Sequence, residues 1–112
     1  MQFPSGRTGV HFALSFADPT GASNYSLRAE VYMHDGDSLY PALEARRAEI
    51  EAAFGIALQW EPLENARASR VATYLDPADP ADRARWPDYR LWAIETLGEF
   101  RRVFSAPIRD LP

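Results

Sequence analysis

Residues 37–62 read DSLYPALEARRAEIEAAFGIALQWEP, and the reading of this stretch decides the fold. Leu39, Leu43, Ile50 and Phe54 recur at helical spacing and share one face. Asp37 or Ser38 supplies the N-cap by accepting a first-turn N–H. Pro41 falls in the first turn, where its missing N–H costs no helical bond. Gly55 follows the last apolar residue, at the position that wants a left-handed backbone. The spacing therefore predicts one amphipathic helix over residues 37–54. Glu44, Glu49 and Glu51 lie off its apolar stripe, and Arg46 and Arg47 border it. Long basic side chains commonly lay their stems along a core edge and keep their heads in water. That reading is preferred for both arginines over burial of one against a carboxylate to hold a ligand or partner. The helix runs straight into a strand over residues 56–61, where Ile56, Leu58 and Trp60 alternate with Ala57, Gln59 and Glu61. Pro62 ends that strand or marks an edge.

Upstream, residues 9–17 alternate: Val10, Phe12, Leu14 and Phe16 point one way, His11, Ala13, Ser15 and Ala17 the other. A turn cluster, Asp18-Pro19-Thr20-Gly21, separates them from a second alternating run over residues 25–34. There Tyr25, Leu27, Ala29, Val31 and Met33 oppose Ser26, Arg28, Glu30, Tyr32 and His34. The two runs are expected to pair as a hairpin. Downstream, residues 68–75 form a fourth strand in which Ser69, Val71, Thr73 and Leu75 oppose Ala68, Arg70, Ala72 and Tyr74. Asp76-Pro77 and Asp79-Pro80 then break the chain, and residues 80–85 have room for one helical turn capped by Asp79. A last helix is expected from Pro87 or Asp88 to about Phe104, with Tyr89, Trp92, Ala93, Thr96, Leu97, Phe100, Val103 and Phe104 as a wide apolar stripe. Pro107 is expected to stop any continuation.

These elements predict an α+β fold of two layers, ββαββα, with a four-stranded, mostly antiparallel sheet and two helices on one face. The strand–helix–strand step can join parallel strands by a right-handed crossover; strand order does not follow from the pattern. Residues 1–8 are expected to be a loose lead-in, 9–106 a single domain and 107–112 a tail.

At 112 residues with 46% hydrophobic and 25% charged content, the chain has the composition of an ordinary globular domain. A net charge of −4 gives no global basic footprint for nucleic acid, though a local patch remains compatible with it. There is no cysteine, so disulfides, thiolate metal sites and cysteine nucleophiles are excluded. All 12 basic residues are arginine, which excludes a Schiff-base lysine and a P-loop lysine. No run approaches the roughly 18 apolar residues of a membrane span, and the N-terminus does not read as a signal peptide. A cytoplasmic location is the expectation.

Few residues point to chemistry. His11, His34, Asp35 and Asp37 match no strong metal-ligand spacing, and turn formation with helix capping accounts for the acids. No serine sits in a nucleophile elbow, and Glu49 and Glu51 fall on different helix faces. No catalytic residue, metal or cofactor is assigned. The sheet face opposite the helices is expected to carry His11, Arg28, Glu30, Tyr32, His34, Gln59, Glu61, Arg70 and Tyr74. Arginine with tyrosine on a sheet can hold phosphates and stack bases, so Arg28, Tyr32, Arg70 and Tyr74, with His11 and His34, are candidate nucleic-acid or nucleotide contacts. Cross-strand pairing that merely stabilises the sheet is the preferred account, since acids accompany the arginines. On the last helix, Leu91, Ile94 and Gly98 form a second line off the main stripe. It is either a homodimer contact or a surface covered by residues 77–86 of the same chain.

The run Arg47-Ala48-Glu49-Ile50-Glu51, then Phe54-Gly55 and Leu58-Gln59-Trp60-Glu61, resembles the bacterial family of domains of unknown function known as DUF4268. Ala29-Glu30-Val31-Tyr32-Met33, Ala68-Ser69-Arg70, Trp86 and Arg102-Val103-Phe104 extend the likeness over residues 9–104. The resemblance implies a module found C-terminal to restriction-type nuclease domains, and also in shorter proteins, with no catalytic residues to carry over. This chain begins almost directly at the first strand, so no nuclease activity is implied within it. The expectation is a non-catalytic assembly or regulatory module, dimeric, beside a nucleic-acid-processing partner. Direct nucleic-acid binding on the sheet face is the alternative.

Overall fold

The computed structural model describes residues 1–18, 21–22, 24–34, 36–62 and 68–112, without the side chains of residues 36–38. The two alternating runs become β2 (Val10–Ala17) and β3 (Ser26–Met33), an antiparallel pair in which Val10 faces Met33 and Phe16 faces Leu27. β5 (Ser69–Leu75) joins the other side of β3, and β4 (Gln59–Pro62) pairs with β5 at the edge. β1 (Gln2–Pro4) forms the opposite edge on β2. The order is β1-β2-β3-β5-β4, every neighbouring pair antiparallel. β3 and β4 are therefore parallel to each other with β5 between them, a split crossover.

The fold is α+β as expected, but among the described residues the sheet has five strands rather than four, and three α-helices replace two. The extra strand lies in what reads as a loose lead-in. Its residues are too few to alternate, and Pro4 and Gly6 signal a turn. Long-range pairing decides instead: Phe3 pairs with Phe12, and the Met1 amine and carbonyl exchange hydrogen bonds with Leu14 at 3.0 and 2.9 Å.

The predicted central helix is two helices, α1 (Gly36–Glu44) and α2 (Arg47–Phe54). The break is at Arg46, whose N–H bonds the Leu43 carbonyl three residues back with φ −103° and ψ 14°. The two halves pack on different layers: α1 lies on β3, β4 and β5, whereas α2 lies against the last helix. Pro41 is beyond the first turn of α1 rather than within it. The expected caps, Asp37 and Ser38, and the candidate ligand Asp35 lie outside the described residues or side chains. Leu39, Leu43 and Ile50 are buried together as their spacing predicts.

Gly55 closes α2 in the left-handed conformation, φ 89°. The strand after it begins at Gln59, later than the predicted residue 56, and Ile56 is exposed. The cause is Glu51, whose carboxylate accepts the Leu58 N–H at 2.7 Å and the Trp60 indole N–H at 3.2 Å. It holds residues 56–58 in a turn over α2.

The final helix, α3 (Trp86–Arg109), runs through Pro107 instead of stopping before it. Pro107 and Ile108 are buried, so packing outweighs the lost helical hydrogen bond. Arg7 fixes the end by donating to the carbonyls of Leu111 at 2.8 Å and Ile108 at 3.5 Å. Within residues 107–112, Pro107, Ile108 and Leu111 are thus buried, Ile108 and Leu111 in the core, while Arg109, Asp110 and Pro112 are exposed. Ahead of α3, residues 83–85 make a short 3₁₀ turn. Asp79 accepts from the Ala81 N–H at 2.8 Å, as a cap at residue 79 would, but the 3₁₀ turn itself begins only at Arg83.

One apolar cluster joins the helix-facing side of the sheet (Val10, Phe12, Ala29, Val31, Met33 and Val71) to Leu43 and Ile50 and to Phe100, Phe104 and Ile108 of α3. The helices thus share one face, and the other face of the sheet carries the polar set. No helix of the described residues is long and apolar enough to cross a membrane.

Candidate functional surfaces

Register arranges the polar sheet face in rows. His11, Tyr32, Arg70 and Glu61 lie in line across β2, β3, β5 and β4. The next row is Ala13, Glu30, Ala72 and Gln59, and the third holds Ser15, Arg28 and Tyr74. The small residues of the middle row leave room for the long side chains of the outer rows to lean over Glu30. Glu30 is accordingly only 5% exposed although it stands on the polar face.

Two guanidiniums approach the same oxygen of Glu30: Arg28 Nε at 3.0 Å and Arg70 Nε at 3.4 Å. Neither contact has hydrogen-bond geometry, so attraction of unlike charges holds the three together. Arg28 also donates to Ser15 Oγ at 3.2 Å. Tyr74 donates to Glu61 at 2.6 Å. Its phenol is pushed above the ordinary range, first by burial, then by that bond and the Glu61 charge. The four expected contacts thus come together as two cross-strand Arg–Tyr pairs, Arg28 with Tyr74 and Tyr32 with Arg70. Each arginine faces an acid, so the face has no net cationic field.

His11, Tyr32 and His34 form a ring cluster with centroids 5.1–5.2 Å apart. Burial, then the His34 charge, then the N-terminal charge hold the His11 imidazole below its usual range. Among the described residues no group of three or more His, Asp or Glu side chains is placed to hold a metal.

The second surface belongs to α3. Leu91 is 58% exposed and Ile94 67%. Residues 77–86 do not fold over them. Ala78 instead packs with Leu27 and Tyr89, and the Asp79 N–H donates to the Tyr89 hydroxyl at 2.9 Å. A Cβ built on Gly98 meets nothing within 4 Å, so no contact among the described residues calls for glycine there.

Along the same helix, toward the β1 edge, runs a groove that the sequence pattern did not signal. It measures about 420 Å³ and is lined by Met1, Leu14, Phe16 and Leu27 from the sheet and by Trp86, Tyr89, Arg90 and Ala93 from α3. Phe16, counted in the core by its alternation, is 39% exposed here, and Trp86 is 42% exposed. Arg83 stacks over Trp86 and Arg85 over Tyr89, each 5.2 Å from the ring centre. A smaller hollow of about 290 Å³, lined by Phe3, Phe12, Leu97, Gly98 and Arg101, continues the line along α3. The smaller hollow takes Phe3 from β1 and the larger takes Met1 just ahead of it, in a stretch too short to be read as a strand.

No curated protein and no solved structure matches the chain. The family model for the domain of unknown function DUF4268 matches residues 1–108, taking in both β1 and nearly all of α3, and the chain belongs to that family.

Proposed function

We propose that the protein is a non-catalytic assembly or regulatory module that self-associates through α3 and works beside a nucleic-acid-processing partner. One observation carries the reading: Leu91 and Ile94 stand in solvent next to Gly98 on a helix whose opposite side already fills the core. Exposed apolar side chains grouped on one element mark an interaction surface. The partner class rests on the restriction-type nuclease neighbourhood that the family resemblance implies. The test is the double variant Leu91→Glu, Ile94→Arg, followed by light scattering. A wild type that associates and a variant that stays folded but monomeric support the reading. A wild type that is monomeric at high micromolar concentration removes the self-association.

Direct nucleic-acid binding on the polar sheet face is a second reading, favoured by the solvent-facing His11/Tyr32/His34 ring cluster beside two Arg–Tyr pairs. Glu30 opposes it by holding both arginines. Glu30→Gln frees those cations and should raise affinity for single-stranded nucleic acid, while Tyr32→Ala with Tyr74→Ala should lower it by about 1–3 kcal/mol per stacked base. Salt-independent or absent binding in all three proteins removes this reading.

A further inference from the structure

We infer that the groove between Phe16 and Trp86 is a strand-addition site for an extended partner segment that carries apolar and acidic side chains on one face. The inference rests on the assembly reading and specifies a partner for it. Three features of the molecule meet at this place.

The first is backbone. The amide and carbonyl of Leu14 point toward β1 and are satisfied by Met1. In an antiparallel sheet alternate residues point their backbone groups to the same side, so those of Phe16 also point to the β1 side. Pairing on that side ends at Met1 and Leu14, and Phe16 has no backbone partner there among the described residues. A free donor and acceptor on a sheet edge template a further strand. Elsewhere the edges are blunted: β1 carries Pro4 and β4 ends in Pro62.

The second is shape. The side chain of any residue paired with Phe16 shares its face of the sheet. That face opens into the groove beside Met1, Trp86 and Tyr89, so an apolar side chain there leaves water.

The third is charge. Among the described residues Arg90 is the one charged side chain lining the groove, and Arg83 and Arg85 stand over the rings at its end. None of the three forms an ion pair among the described residues. An incoming carboxylate two positions from the apolar residue lies on the same face and meets this cationic rim.

The probe is a short fluorescein-labelled peptide in which leucine and glutamate take turns at every second position with threonine between, and its counterpart with lysine for glutamate. Titration into the wild-type protein should give anisotropy binding of the glutamate peptide and slowed hydrogen exchange at the Phe16 amide. Arg90→Glu, an exposed position, should weaken the glutamate peptide by about tenfold, the scale of one charge-assisted contact, and favour the lysine peptide. No binding, equal binding of both peptides, or binding that leaves the Phe16 amide unprotected overturns the inference. Protection of that amide by raising protein concentration alone would assign the groove to a second copy and overturn it too. Self-association lost in the Leu91/Ile94 double variant while the wild type ignores the peptide would leave the assembly reading standing without this partner.

Discussion

Glu30 stands between two guanidiniums with little water around it, and its removal is not equivalent to the removal of either arginine. Taking away Arg28 leaves the carboxylate with Arg70. Taking away the carboxylate leaves two like charges crowded on neighbouring strands. Breaking a fully buried ion pair costs about 3–5 kcal/mol. The Arg28 and Arg70 side chains keep 21% and 14% exposure, which reduces that cost. Glu30→Gln should therefore destabilise by about 1–3 kcal/mol, and Arg28→Met by less, compared by urea midpoints. An unchanged midpoint for Glu30→Gln would show that the triad does not hold the sheet. His11, in the first row of the same face, gives a pH dependence of known sign. Its folded pKa lies below the usual 6.5. Between those two values the unfolded chain takes up a proton that the folded chain resists, so stability falls as pH drops through 6.5 and levels off below the folded value. His11→Gln should flatten that slope in thermal unfolding from pH 7 to pH 5.

At the scale of the element, the join between α2 and β4 depends on one carboxylate. Glu51 accepts the Leu58 N–H, then the Trp60 indole, with Arg47 beside it at 3.3 Å. These contacts, led by the Leu58 N–H, hold its pKa below the ordinary value. A depressed carboxylate contributes stability above its unfolded pKa and loses it as pH falls through the folded one. The stability gap between wild type and Glu51→Gln should thus be full at neutral pH and close under acid conditions, below the folded value. A gap that persists there would assign the effect to shape rather than charge. This element also shows where a sequence stops being readable. The strand phases were readable, because one buried face enforces a period of two and places Arg28, Tyr32, Arg70 and Tyr74 on the polar side. The late start of β4 was not, since Glu51 reads as a solvated helix residue until the chain turns back over it. The bridging role of Glu30 was hidden for a related reason: it requires β5, and not β4, beside β3.

At the scale of the molecule, the question is why α3 tolerates glycine in its middle. Glycine inside a helix costs about 1 kcal/mol against alanine, and among the described residues nothing approaches Gly98 closely enough to require it. Strain does not explain it either, because Gly98 lies inside a regular helix and is absent from the positive-φ glycines. The self-association proposed above would supply a reason, a close approach by a second copy. In a two-fold contact the same stripe meets itself, so Gly98 of each copy would lie near the facing helix and a methyl group would be added twice. Gly98→Ala should then act in opposite directions on the two levels. At low concentration, where the chain is monomeric, the variant should be more stable by about 1 kcal/mol, since the added methyl meets open space and the helix gains propensity. At high concentration it should associate more weakly than wild type. Thermal unfolding at the low concentration and sedimentation across the concentration range separate the two effects. A variant that is both more stable and equally associated would place Gly98 outside the contact, and the self-association would then rest on Leu91 and Ile94 alone.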